Sequence, residues 1–288
     1  MEIKKLPKEY WPEGLFEIPE PPEQLWTLGD FPDLDGLTLL CVVGSRKFTS
    51  YGKDVCEKLI EGLKGHPVVI VSGLAMGIDA IAHQTALKVG LKTLVFPGSG
   101  LSRKALYPKT NLRLAEDIVR NGGCLVSEFE PDFLATLWGF PKRNRLMAGM
   151  CQATLVIEAE EKSGTLITAR LATEYNRDVL AVPGSIYSPN SKGTNRLIRQ
   201  GATPITSVDD LLDALDLKKD NNANIQQKLF AELSPEELRV IDILREPMPR
   251  DELIRALGIG TSEANALITV MEIKKIIKEE LGEIRLNN

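Results

Sequence analysis

Four stretches of this sequence combine cations, hydroxyls and main-chain amides in the way anion binding needs. Gly44-Ser45-Arg46 follows an apolar run and offers N–H groups, a hydroxyl and a fixed positive charge. Arginine suits bidentate recognition of phosphate. Ser72-Gly73 opens a turn that continues to Gly77 and feeds a helical pattern of Ile78, Ile81, Ala82 and Thr85; a glycine-bearing turn at a helix N-terminus is a place to bind phosphate. Phe140-Pro141-Lys142-Arg143-Asn144-Arg145 is the most basic run in the chain. It sets cations for a nucleic-acid backbone beside a ring for a base. Ser163-Gly164-Thr165 enters a further helix, with Ser163 or Thr165 as cap, and could hold a second anion. Each stretch also has a plainer reading. These are a surface arginine after a tight turn, a closely packed βα turn, a solvated charge run with Phe140 in the core, and a simple N-cap.

Other chemistries find less support. Asp79 and His83 share a helix face at i, i+4 and could form an acid–base pair, although a structural hydrogen bond is the simpler reading. Glu128 and Glu158 stand at strand ends and are the best carboxylates for a hydrolase. Ser72 has no evident histidine and aspartate partners, which argues against a serine hydrolase. No Walker motif is present, and Gly98-Ser99-Gly100 is not followed by the dinucleotide fingerprint. The cysteines Cys41, Cys56, Cys124 and Cys151 lie far apart and the histidines are few. That spacing excludes ordinary zinc motifs and points to reduced thiols in a cytoplasmic protein. Neither a cofactor nor a metal is expected.

The elements that carry these loops alternate. Strands are expected over 37–43, 68–71, 91–96, 125–126, 153–157, 179–182 and near 203–205, with helices over 51–63, 78–85, 111–120 and through Tyr175. This alternation implies an α/β fold, an extended Rossmann-like parallel sheet with helices on both faces. Right-handed crossovers send the C-terminal ends of the strands to one edge, where open α/β sheets bind ligands. Residues 1–35 are rich in proline and carry Tyr10, Trp11, Phe16, Trp26 and Phe31, which suggests an extended N-terminal arm pinned by its aromatics. The Rossmann-like domain is expected over 36–216 and a polar linker over 217–228. Residues 229–288 form the last domain. Ser234-Pro235-Glu236-Glu237 is a helix start of capping-box type. Helices over 235–245, 250–257 and 262–273, with a hairpin near Gly282, suggest a small C-terminal winged helix.

The formal net charge of −5 makes the whole molecule no obvious nucleic-acid binder, but the location of the charge decides. Residues 229–288 carry 8 Lys/Arg against 12 Asp/Glu, whereas residues 1–228 carry 27 against 28. An anion site must therefore be a local patch in the larger part. There is no apolar run near the ~20 residues a membrane span needs, and the N-terminal residues lack the apolar core of a signal peptide.

Taken in order, these motifs resemble the DNA-processing protein A (DprA/Smf) family. The resemblance rests on Val43-Gly44-Ser45-Arg46, on Ser72-Gly73-Leu74-Ala75-x-Gly77-Ile78-Asp79 with Ala82-His83, and on Gly98-x-Gly100-Leu101 with Tyr107-Pro108-x-x-Asn111. It continues through Ser127-Glu128, Phe140-Pro141-x-Arg143-Asn144-Arg145, Val156-x-Glu158-Ala159, Ser163-Gly164-Thr165, Pro183-Gly184 and Gly193-Thr194-Asn195. It implies a protein that binds single-stranded DNA, forms a homodimer and helps load a RecA-type recombinase during natural transformation, without catalytic turnover. By motif, the DNA pocket would use Gly44, Ser45, Arg46, Ser72, Gly73, Lys142, Arg143 and Asn144, with Phe140 for stacking. Arg145 and Ser163 to Thr165 extend that candidate set. After Ser127-Glu128 the family commonly has a turn with proline and glycine, where this chain has Phe129-Glu130-Pro131-Asp132-Phe133. The alternative function is that of Rossmann-like nucleotide phosphoribohydrolases, whose Pro-Gly-Gly-x-Gly-Thr loop is matched here by Ser163-Gly164-Thr165 alone. A third reading is a transcription regulator with the winged helix as DNA reader.

Overall fold

Alternation of side chains along the strands builds two apolar layers. In the computed structural model, β3 (Thr38–Val43) and β4 (Val68–Ser72) are buried almost throughout. Leu40, Val42, Val68 and Ile70 face one cluster, while Leu39, Cys41, Val43, Val69 and Val71 face another. Strands covered on both faces read as continuous apolar runs for this reason. The structure describes residues 2–217, 234–244, 247–274, 276–280 and 282–286.

Among the described residues the main sheet has nine strands. In chain order they are β1 (Ile3–Lys5), β2 (Trp26–Gly29), β3, β4, β5 (Lys92–Val95), β6 (Cys124–Ser127), β7 (Ala153–Val156), β8 (Asp178–Ala181) and β9 (Thr203–Pro204). Their spatial order is β1-β2-β6-β5-β4-β3-β7-β8-β9. From β6 to β9 every neighbouring pair is parallel, whereas β1–β2 and β2–β6 are antiparallel. The sheet is thus mixed and mostly parallel. The N-terminal residues expected to form an extended arm supply two strands to the sheet edge. Three-residue pairing of β1 with β2 satisfies backbone groups that a loose arm would leave to water.

Helices cover both faces. They are α1 (Gly14–Glu17), α2 (Ser50–Gly62), α3 (Ile78–Val89), α4 (Leu112–Arg120), α5 (Gly139–Met150), α6 (Thr165–Glu174), α7 (Lys192–Arg199) and α8 (Val208–Ala214). Leu59 and Ile60 of α2, Ile81 of α3 and Leu211 of α8 cover one face, while Leu15 of α1, Leu146 and Met147 of α5 and Ala169 of α6 cover the other. Helix α5 has no counterpart among the helices expected from periodicity. It is buried nearly all round from Arg143 to Met150, so it presents no amphipathic stripe.

The chain separates into two compact units, 1–217 and 218–288. Beyond Leu217, the linker expected over 217–228 lies outside the described residues, as does Arg245 of the expected helix over 235–245. Within the second unit, helices Pro235–Ile243, Arg250–Leu257 and Thr261–Ile273 pack around Val240, Leu253 and Ile268. Strand Ile277–Glu280 pairs with Glu283–Leu286, which pairs in turn with Met248–Pro249. The capping box at Ser234 and Glu237 is formed in both directions. No described helix is long and apolar enough to cross a membrane.

Candidate nucleic-acid interface

The C-terminal ends of β3, β4 and β7 meet the N-terminal parts of α5 and α6 around one cavity of about 440 Å³. Gly44, Ser45, Arg46, Phe140, Arg143, Asn144, Ser163, Gly164 and Thr165 all line it. The topology therefore brings together nine of the thirteen residues singled out from sequence.

The β3 loop is fixed from below and from the side. A Cβ at Gly44 would collide with the Ile78 side chain, so glycine lets the first turn of α3 approach the strand end. Ile78 N–H donates to Ser45 O at 3.3 Å, and Thr165 Oγ1 donates to Gly44 O at 3.1 Å, tying the α6 entry to the same loop. Ser45 Oγ accepts from Lys47 N–H at 3.1 Å. Arg46 is exposed, and its guanidinium carbon lies 5.6 Å from the Phe140 ring centroid. Phe140 is half-buried against Tyr107, with ring centroids 5.7 Å apart. A cation and a ring in this relation attract each other and pre-position both.

The basic run divides because it is helical. At 100° per residue, Lys142 and Arg145 fall on one side of α5, while Phe140, Arg143, Asn144 and Met147 fall toward the cavity. Arg143 is 5 % exposed; its guanidinium donates to Phe96 O and to Asn144 Oδ1. A Cβ at Gly73 would meet that guanidinium, so Gly73 is the space into which Arg143 reaches. Burial lowers the Arg143 pKa and the Asp79 carboxylate raises it, but a guanidinium stays charged at any relevant pH. Lys142 instead approaches Glu128, at 3.7 Å, and the rings of Phe129 and Trp138. Arg145 donates to Glu128 and to Glu20 O and is buried. Arg145 is a structural ion-pair partner turned away from the cavity, and Lys142 faces the Glu128 side.

Ser72 and Gly73 also lie behind the cavity. Ser72 is fully buried and its Oγ donates to Val42 O at 2.6 Å, bracing β4 against β3. Gly73 N–H and Ala75 N–H donate to Asp79 Oδ2 at 3.1 and 3.4 Å. Asp79 thus orders the β4–α3 loop, in which Leu74 takes φ of +60° while buried. Such a backbone is costly for leucine and persists because its surroundings hold it. Asn111 adds donors to the Leu74 and Ala75 carbonyls. Burial pushes the Asp79 carboxyl up, and Arg143 and the two amides pull against it.

Asp79 and His83 therefore have separate partners. His83 Nδ1 lies 2.7 Å from Thr93 Oγ1, and that hydroxyl donates to Ile70 O, so the imidazole donates to it. Burial lowers the His83 pKa to about 3. Glu158 is equally engaged: both its oxygens accept from Thr49, the N-cap of α2. The four cysteines are buried, and burial pushes the Cys124 thiol up to about 12.

Lys47 and Lys162 line the cavity as well and were not singled out from sequence. Isolated lysines carry no motif, although Lys162 directly precedes Ser163. Together with Arg46 and Arg143 they outnumber the acidic lining residues Asp79 and Glu160. The site can hold a polyanion and offer its base a ring.

The sequence pattern of the family described as DNA recombination-mediator protein A matches residues 3–216. The chain belongs to this family. Among curated members of the DprA/Smf group, it is 42 % identical to DNA processing protein DprA of Streptococcus pneumoniae over 216 residues, covering 73 % of this chain and 75 % of that protein. It is 39 % identical to protein Smf of Escherichia coli over 207 residues, 72 % of this chain but 54 % of that protein, so the match spans about half of the longer relative. Solved DprA structures share the fold. That of S. pneumoniae superposes with a TM-score of 0.69 at 41 % identity, covering 74 % of each chain. DNA processing protein A of Helicobacter pylori, solved to explain its single-stranded DNA binding mode, gives 0.68 at 30 % identity, covering 76 % of this chain and 97 % of that one.

Proposed function

We propose that this DprA-family chain binds single-stranded DNA across the cavity at the ends of β3, β4 and β7. The observation that carries the reading is Arg46 standing over the Phe140 ring in the same cavity as Arg143. Cations that track a backbone beside a ring that accepts any base are what sequence-tolerant single-strand binding uses. The single-strand binding named for the H. pylori relative supports the same assignment.

From family membership we further propose a cytoplasmic recombination mediator that acts as a homodimer and helps load a RecA-type recombinase during natural transformation. The reading excludes turnover. Glu158 is occupied in capping α2 and Glu128 is paired with Arg145, so neither strand-end carboxylate is poised to act on a substrate. The second unit, read as a winged helix, carries 8 basic against 12 acidic residues over 229–288, which favours a protein contact over duplex DNA.

Binding of short oligo-dT against duplex of equal length tests the proposal. Oligo-dT and mixed single strands are expected to bind alike and better than duplex. A clear preference for one duplex sequence would overturn it.

A further inference from the structure

Beside the cavity, and outside its lining, stands an aromatic side chain that the folding of the chain does not use fully. Trp138 is 54 % exposed. It is nevertheless held firmly, because Phe129 and Phe133 stack at 4.5 Å and both meet the indole edge-on, at 5.6 and 5.4 Å. Such edge-to-face contacts fix a ring beyond what area burial does. Lys142 Nζ lies 5.8 Å from the indole centroid and equally far from Phe129. The neighbouring Leu137 is 91 % exposed.

We infer that Trp138 is a second base-stacking platform, with Lys142 as its phosphate partner, extending the single-stranded DNA site beyond Phe140. The inference rests on the proposed DNA-binding reading of the cavity. Continuity supports it: Trp138 precedes Phe140 by two residues, so their Cα atoms are at most about 7.6 Å apart. Trp138 projects on the Lys142 side of α5, so a strand whose base lies on Phe140 reaches the indole by passing over the N-terminus of the helix. Charge supports it as well. A cation resting against an exposed ring offers a nucleic acid the same pair of contacts as Arg46 and Phe140. The division of α5 then acquires a meaning: Arg143 faces the first platform and Lys142 the second.

Tryptophan fluorescence reads this contact directly, because Trp11 is buried and Trp26 half-buried. Oligo-dT is expected to quench the emission of the full chain. Trp138→Phe should bind nearly as tightly as the parent yet lose most of the quench. Trp138→Ala should lose about 5- to 150-fold in affinity, and that difference should vanish as the oligonucleotide is shortened. The Phe variant keeps the test valid if the Ala variant folds poorly. Unchanged affinity and undiminished quench in both variants, with Arg46→Ala still impaired, would overturn the inference and leave the cavity reading standing. If instead Trp138→Ala binds DNA normally and alters only sedimentation, the patch serves protein contacts and the inference falls. Failure of the parent to bind oligo-dT at all would remove the cavity reading itself.

Discussion

Arg145 lies against Glu128, and both side chains are less than a tenth exposed. The pair joins α5 to the end of β6, and Arg145 also donates to Glu20 O in the segment between α1 and β2. Burial pushes the Glu128 carboxyl up, and Arg145 followed by Lys142 pulls it back. Removing one partner strands the other charge in a poorly hydrated place, a loss of about 3–5 kcal/mol. Arg145→Ala should therefore lower the urea midpoint strongly, while the folded fraction keeps its affinity for single-stranded DNA. A stable Arg145→Ala protein with impaired binding would refute this assignment.

Arg46 is the cleaner probe of the DNA site. It is exposed and makes no ion pair among the described residues, whereas Arg143 also braces Phe96 O and Asn144. Loss of one charge-assisted hydrogen bond in Arg46→Ala should cost about 1.5–3 kcal/mol, roughly a 10- to 150-fold drop in affinity. The slope of log K against log salt should shrink by about 0.7. Phe140→Ala should lose about 1–3 kcal/mol with little change in slope. A salt titration of oligo-dT binding, with folding checked by circular dichroism, distinguishes the two. Unchanged affinity and slope for Arg46→Ala would mean that DNA does not lie in this cavity.

His83 predicts an acid sensitivity. Its folded pKa of about 3 lies below the unfolded value of about 6.5, so the unfolded chain takes up the proton first. The stability this neutral imidazole protects is present above pH 6.5 and is lost as pH falls toward 3. Between pH 6.5 and 4.5 the loss is about 2 kcal/mol. Asp79, whose carboxyl burial pushes up, acts with the opposite sign and is common to parent and variant. The difference in unfolding free energy between the parent and His83→Gln should therefore shift against the parent over that window. A difference independent of pH would rule out the buried neutral imidazole.

Residues 1–217 form one compact unit that contains every cavity residue. A fragment ending at Leu217 is expected to fold and to retain binding of oligo-dT within a few-fold. A fragment with native circular dichroism but no binding would move the DNA site to the second unit.

Much of this was legible in the sequence because it is local. Short apolar runs ended by glycine, serine and threonine marked seven parallel strands and the edge where their loops gather. The ordered motifs pointed to the family that the match over residues 3–216 shows. The β1–β2 edge pairing was not legible, since Ile3–Lys5 is too short for a period and meets Trp26–Gly29 only in the fold. Helix α5 was hidden for a related reason: a helix buried nearly all round carries no stripe.

What the sequence by itself determined was the set of residue types able to hold a phosphate and a base. Which of them face the cavity was decided by tertiary structure. Lys142, Arg143 and Arg145 are one run of like charges in the sequence, and nothing local tells them apart. Helical rotation sends Arg143 toward the cavity and places Lys142 and Arg145 beside Glu128. Likewise Ser72 resembles a phosphate ligand by motif, yet its hydroxyl is consumed by Val42 O because β3 lies alongside. A buried polar group must find a partner, and the available partner is set by the neighbouring strand, far away in sequence.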